Sequence, residues 1–270
     1  MPSFPPLMPP QYLEPSPSPI VARDKKEPAF YRGLQIGADT HLHDQLMGLI
    51  RKIFPSGEAG RAPLALDLGC GEGALAQRLF DEGFQVVAVD KEVGVFRGNG
   101  PSFLHVDFDQ PTSAQAALAP WNGKADLVVA VEVIEHLRRP YDFLVLCHFL
   151  CRPGGHLIIT TPNVASWWSR LWFLLTGELW GFQPESLADL GHIHAWSCLE
   201  LGFVLSEVGF EVRGWYLGGC LPVIWTYNWK RLLASVLMLP LRPLMRGPKD
   251  GWVVCFHAQK PLVGGASSPA

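Results

Sequence analysis

Charge of either sign is scarce in this chain. Only 17% of its 270 residues are charged, and 22 basic against 25 acidic side chains leave a net charge of −3. That balance gives no global pull toward nucleic acid, whose binding domains are usually strongly basic. Long apolar runs are missing too: the nearest, residues 232–241, falls well short of the roughly 20 residues that span a bilayer. No basic patch followed by an apolar run opens the chain, so no secretory leader is expected. The six cysteines (Cys70, Cys147, Cys151, Cys198, Cys220 and Cys255) include no CxxC pair. This argues against a metal finger or a disulfide frame and points to reduced thiols in a cytoplasmic protein.

Apolar residues, by contrast, make up 48% of the chain, enough for one ample core. Ten tryptophans are many for this length, and eight of them fall between Trp167 and Trp229. Residues 1–28 hold nine prolines and little periodicity, and read as a disordered tail. Residues 29–260 read as one domain and 261–270 as a flexible end.

Within the domain, Asp39-Thr40 can cap a helix running to about Phe54, stopped by Pro55-Ser-Gly57. Short apolar runs then alternate with helical segments. Strands are expected at Leu64–Leu68, Gln85–Val89, Ser102–Val106, Asp126–Val131, His156–Thr160, Glu211–Leu217 and Trp252–Ala258. Such a rhythm indicates an α/β fold with a parallel sheet. Two long insertions, at about 162–196 and 218–250, interrupt it.

The first strand runs straight into Gly69-Cys-Gly-Glu-Gly73 and then a helix. Glycines there allow positive φ and a close approach of ligand to backbone. A lone G-x-G-x-G would be a weak signal. Asp67 at the end of the same strand, Asp90 at the end of the second and Asp107 at the end of the third make it specific. In nucleoside-binding α/β folds the Asp90 position reaches the ribose hydroxyls. Asp107 could accept from an adenine amino group while Phe108 packs on the ring. A dinucleotide fingerprint would read G-x-G-x-x-G and aim a helix at pyrophosphate. The acidic Glu72 inside the present loop suits a cationic ligand better, which favours S-adenosylmethionine (SAM) over NAD.

With Val87-Ala-Val-Asp90, Ala125-Asp-Leu-Val-Val-Ala-Val-Glu-Val-Ile-Glu-His136 and Arg152-Pro-Gly-Gly-His-Leu-Ile-Ile159, the loop resembles the class I SAM-dependent methyltransferases over roughly Tyr31 to Ala258. The resemblance implies a Rossmann-like seven-stranded sheet of order 3-2-1-4-5-7-6, strand 7 antiparallel, with helices on both faces. It also implies that Asp67, Gly69, Cys70, Gly71, Gly73, Asp90, Lys91, Asp107, Phe108 and Glu132 hold SAM.

Glu132, Glu135 and His136 follow the fourth strand as E-x-x-E-H. On a helix these positions share one face. Three readings stay open. The acids cap a helix start; or His136 is a general base toward an acceptor hydroxyl; or all three hold a divalent metal such as magnesium. The segment is similar to the motif of ubiquinone-pathway O-methyltransferases and small-RNA 2′-O-methyltransferases. That similarity implies metal-ligand roles for Glu132, Glu135 and His136, with a further histidine from His192 or His194, of which His194 is taken.

The insertions contain Trp167-Trp-Ser-Arg-Leu-Trp172, Trp180 and Trp225-Thr-Tyr-Asn-Trp-Lys-Arg231. They read either as lid or core helices over an acceptor pocket, or as interfacial segments in peripheral contact with a membrane. The expected function is methyl transfer from SAM to a hydroxyl of a small or lipid-like acceptor. A non-catalytic SAM-binding scaffold and an RNA 2′-O-methyltransferase are the alternatives, and the weak basic content speaks against the latter.

Overall fold

In the computed structural model, which describes residues 9–14, 20–21, 28–55, 61–226 and 228–262, the two-residue alternation of strand side chains decides the architecture. On Leu64–Leu68 (β1), Ala65 packs to one side of the sheet and Leu66 and Leu68 to the other. On Gln85–Asp90 (β2), Val86 and Ala88 oppose Val87 and Val89 in the same way. A sheet that is apolar on both faces must be covered on both. Leu42–Ile53 (α1) and Ala74–Asp81 (α2) cover one face. Pro111–Leu118 (α3), Pro140–Leu150 (α4) and Cys198–Glu207 (α6) cover the other. Between them in sequence lies Trp167–Thr176 (α5).

The remaining central strands are Ser102–His105 (β3), Ala125–Ala130 (β4), Cys151–Pro162 (β5), Glu211–Gly218 (β6) and Val253–Gln259 (β7). They lie in the order β3-β2-β1-β4-β5-β7-β6, and β7 runs antiparallel to both neighbours. The expected count of seven is corrected by an eighth strand. Gln11–Tyr12 pairs parallel with Tyr216–Leu217 beyond β6. The segment read as a disordered tail therefore supplies a sheet edge. Leu13 is buried beside α1, and the Tyr12 hydroxyl donates to Asp250 at 2.9 Å. Ile20–Val21 forms a second short pairing, with Ile224–Trp225. The rest of the proline-rich segment, Ser56-Gly57 and residues 263–270 lie outside the described residues.

Two local expectations are also corrected. α1 starts at Leu42 without a side-chain cap; Asp39 instead accepts from His41 N–H through Oδ1 and from Cys220 through Oδ2. Arg152–Gly155 belongs to β5, as an irregularity between the pairs Ala125–Cys151 and Leu127–His156.

The two insertions build one satellite core. Trp167, Trp168, Trp172, Trp180, Trp225 and Trp252 pack together, with ring centroids as close as 4.7 Å for Trp168–Trp225. Trp229–Met238 (α7) lies against it through Met238 and Ala234. Asn163, at the end of β5, ties the second insertion down. Its side-chain amide donates to the carbonyls of Pro248, Asp250 and Gly251 at 2.8–3.0 Å.

Candidate active site

Every strand that supplies a carboxylate ends on the same edge of the sheet, because β1 to β4 run parallel. The glycine loop between β1 and α2 is held there by Gly69 N–H and Cys70 N–H, both donated to the Val89 carbonyl (2.7 and 3.1 Å). Gly69 has φ +81°, and a Cβ there would meet Val133 Cγ2 at 2.4 Å. Glycine is therefore required both by backbone conformation and by the turn that follows β4. A Cβ at Gly71 would meet nothing within 4 Å, so the loop is open on that side.

Asp90 accepts Gly71 N–H through Oδ2 at 2.8 Å and Glu92 N–H through Oδ1 at 3.0 Å. Each oxygen keeps a lone pair for a ligand hydroxyl. Asp67 is only 2% exposed, and its Oδ2 is buried with no hydrogen-bond partner among the described residues. Burial pushes its carboxyl up to about 7, and the neighbouring Asp90 adds to the effect. An orphaned buried carboxylate oxygen beneath an open glycine loop fits a ligand that brings a hydrogen-bond donor or positive charge. Cys70 is half-buried, with its thiol against the Gly71 carbonyl, and burial raises its pKa, so it remains a thiol. Gly73 caps α2 in a left-handed conformation.

Several expected ligand contacts are placed differently. Glu72 does not face inward: it accepts Gln35 N–H at 2.8 Å and lies 3.8 Å from Arg97. The Phe108 ring is buried edge-on against Phe143 at 5.0 Å, committed to the core rather than free to stack on a base. Asp107 remains at the edge and accepts Asp109 N–H. Lys91 is exposed, and its carbonyl accepts from His105.

The E-x-x-E-H segment does not start an α-helix. Glu132 sits at φ +54°, rare for a residue with a side chain, and Ile134–His136 is a single 3₁₀ turn. Two threonines that the sequence reading missed hold the acids. Thr160 Oγ1 accepts Glu132 N–H (3.0 Å) and donates to Glu132 Oε1 (2.9 Å). Thr161 Oγ1 donates to Glu135 Oε2 at 3.3 Å. Their only sequence signal was the pair Thr160-Thr161 at the end of an apolar strand. Glu132 is thereby tied to β5, and the group of side chains close enough together to share an ion among the described residues does not include it.

Glu135, His136 and His192 each bring a ligand atom within 4.8 Å of the other two. The His136 and His192 rings meet edge-on at 4.8 Å, and His136 Nε2 lies 3.9 Å from Glu135 Oε1. His192 Nδ1 bonds the Gly181 carbonyl at 2.8 Å, which fixes its ring. His194 meets the cluster only through its backbone: the N–H groups of Ile193 and His194 both donate to the Glu135 carbonyl. Its ring turns toward Trp196, at 6.4 Å.

Glu135 is fully buried, and its Oε1 has no hydrogen-bond partner among the described residues. Burial first, and the Glu132 charge second, hold the Glu135 carboxyl well above the usual range. Burial raises Glu132 likewise. The same burial, with His192 adding to it, lowers His136. Burial thus disfavours the charged form of both groups, the His136 imidazolium and the Glu135 carboxylate.

Residues 38–213 match the model of a family described as a methyltransferase domain. Among curated proteins, a ubiquinone biosynthesis O-methyltransferase of Caulobacter vibrioides is 34% identical over 117 residues, covering 41% of this chain and 46% of the relative. That of Roseobacter denitrificans is 32% identical over 127 residues, covering 46% and 50%. The chain thus spans about half the length of these relatives. A SAM-dependent methyltransferase from Archaeoglobus fulgidus superposes with a TM-score of 0.55 at 18% identity, covering 81% of this chain and 94% of that one. Phosphoethanolamine N-methyltransferase 2 of Haemonchus contortus, solved with S-adenosyl-L-methionine, gives 0.53 at 15% identity and covers 84% and 54%. These two likenesses concern the fold.

Proposed function

The chain belongs to the methyltransferase-domain family, and on that premise we propose that it transfers a methyl group from SAM to a hydroxyl of a small, hydrophobic acceptor. The observation that carries this reading is the His136 ring, which follows β4 and stands 3.9 Å from Glu135 and edge-on to His192. It follows, by way of Val133, the turn that presses on Gly69. SAM, when bound, supplies an electrophilic methyl on a sulfonium. The residues that fit it are the open loop at Gly71, the orphaned Asp67 oxygen and the Asp90 carboxylate.

The protein's own work is alignment, exclusion of water and removal of one proton. The segment around His192 lies against the E-x-x-E-H turn, through the Ile193 and His194 N–H bonds to the Glu135 carbonyl and the His136–His192 ring contact. With SAM bound, the acceptor oxygen would displace the neutral thioether S-adenosylhomocysteine from the methyl carbon, and His136, which burial disposes to the neutral form, would take the hydroxyl's proton. O-methylation of the Caulobacter and Roseobacter relatives' kind agrees with a site that provides a base, which an already neutral amine acceptor would need less.

A second reading is favoured by the orphaned Glu135 Oε1 facing His136. Glu135, His136 and His192 would hold a divalent metal, and two imidazoles suit a transition-metal ion better than magnesium. Its chemistry would be Lewis-acid activation of the acceptor oxygen.

The test is a transfer assay with methyl-labelled SAM on a cell extract, with products identified by mass spectrometry. His136→Gln should lower turnover by about 10²–10⁴-fold, the usual worth of a general base, and leave SAM affinity unchanged. An N- or C-methylated product, or full activity in the variant, would overturn the reading. Metal binding must expel the Glu135 proton. Calorimetry with manganese or zinc alone, repeated in two buffers, separates the base reading from the metal one.

A further inference from the structure

The tryptophans that set the insertions apart are mostly interior. What the second insertion leaves outside is a leucine face. In α7, Trp229, Leu232, Leu233, Val236 and Leu237 recur at i, i+3, i+4, i+7 and i+8, the spacing of one helical face. In an ordinary surface helix that face packs inward. Here all five are exposed, Trp229 by 70% and Leu237 by 61%. The side turned to the protein carries the small Ser235, whose hydroxyl bonds the Arg231 carbonyl and the Trp225 N–H, together with Met238. The exposed seam continues past the helix into Leu239–Leu244, where Leu241 is exposed and Leu244 is 77% exposed. On α5, whose Trp168 and Trp172 belong to the same satellite core, Phe173, Leu174 and Leu175 are also exposed.

Charge specifies what this face meets. From residue 219 to 249 the chain has five cationic residues (Lys230, Arg231, Arg242, Arg246 and Lys249) and no Asp or Glu, in a protein whose net charge is −3; Arg242 is ion-paired with Asp250, which follows the segment. Lys230 and Arg246 are exposed, and the Lys230 ammonium lies 5.8 Å over the Trp229 ring. The acids of the first insertion are Glu178, just past the end of α5, and Glu185 and Asp189 in and beside the turn that precedes His192; α7 itself carries none. A two-fold contact between copies through α7 would bring like charges together. An anionic surface meets no such penalty.

No helix among the described residues is long and apolar enough to cross a membrane. A ten-residue helix with an apolar outer face and an exposed tryptophan and cations at its start suits the plane of a bilayer interface. We propose that α7 and the Leu239–Leu244 turn form a docking surface for an anionic phospholipid bilayer. The proposal does not depend on methyl transfer, since vesicle binding is read without SAM.

The experiment is co-sedimentation of the full chain with phosphatidylcholine vesicles, with and without roughly 30 mol % phosphatidylserine. The wild type should bind the phosphatidylserine vesicles at least about tenfold more tightly. Leu233→Glu with Leu237→Glu should reduce that binding by about tenfold or more, with SAM affinity by calorimetry unchanged. If that variant fails to fold, Lys230→Glu with Arg246→Glu serves, and should abolish the preference for phosphatidylserine. A wild type that stays in the supernatant with both vesicles, or variants that bind like the wild type, would overturn the proposal. So would a wild-type dimer in analytical ultracentrifugation that the leucine variant makes monomeric without any vesicle binding, which would assign the face to a second copy of the chain.

Discussion

Gly69→Ala tests the contact that joins the glycine loop to the E-x-x-E-H turn. The new Cβ carries two separable costs. A side chain held at φ +81° costs about 1–2 kcal/mol. A Cβ at 2.4 Å from Val133 Cγ2, where roughly 3.5–4 Å is comfortable, adds an overpacking cost of about 1–3 kcal/mol. Val133 is itself buried and has no free space to retreat into. The expected loss is therefore about 2–5 kcal/mol. Val133→Ala alone removes two methyl groups, for about 1.6 kcal/mol, but it also removes the obstacle. The double variant should then be about 1–3 kcal/mol more stable than the sum of the singles, because only the backbone cost persists. Urea denaturation of the four proteins, with the denaturant slope unchanged, measures this. Additivity within about 0.5 kcal/mol would show that loop and turn do not press on each other.

Asp67, raised by burial to about 7 from an ordinary 3.8, contributes stability that is complete below about pH 4 and is lost as pH rises through about 7. The thermal midpoint of the ligand-free protein should therefore fall over that window, and Asp67→Asn should flatten the fall; parallel curves for the two proteins would exclude the effect. Asp90→Ala should weaken SAM by about 10–100-fold, the worth of a charge-assisted hydrogen bond. Unchanged affinity in calorimetry would remove Asp90 from the ligand site. Asn163→Ala leaves three carbonyls, two buried and one partly buried, short of their donor and should cost about 2–4 kcal/mol. Limited proteolysis should then open residues 218–250 first, and equal resistance to protease would show that Asn163 is not the anchor.

The sheet was legible because its strands are short apolar runs separated by helices, a pattern that local sequence carries by itself. The glycine loop, Asp67 and Asp90 were legible for the same reason: each follows directly from a strand end. Features that depend on distant partners were not. Nothing near Gln11 announces Tyr216 as its neighbour, and the prolines around it suggested the opposite. The left-handed Glu132 follows from its pairing with Thr160, 28 positions later, so a helical spacing rule misplaced it. His192 and His194 stand two apart in a loop, where no periodicity chooses between them. The choice was made by Glu135, whose carbonyl receives both backbone N–H groups and leaves only the His192 ring on its side. Tryptophan content drew the eye to the insertions, but it could not show that six of the rings pack on one another while leucines of α7 stay exposed.

The pairing of Gln11–Tyr12 with β6 has a consequence for how the chain is made. The two partners are separated by roughly 200 residues. A ribosome adding about 5–20 residues per second needs on the order of 10–40 s to cover that distance. Through that interval the first segment waits without its partner, and β6, once made, presents a bare edge until the segment arrives. Unpaired edges recruit wrong neighbours. Proline cannot donate to a ladder, and the nine prolines among residues 1–28 leave the waiting segment few ways to pair with anything else. The composition that made it look unstructured would then act during synthesis, keeping two residues available for the one edge they fit.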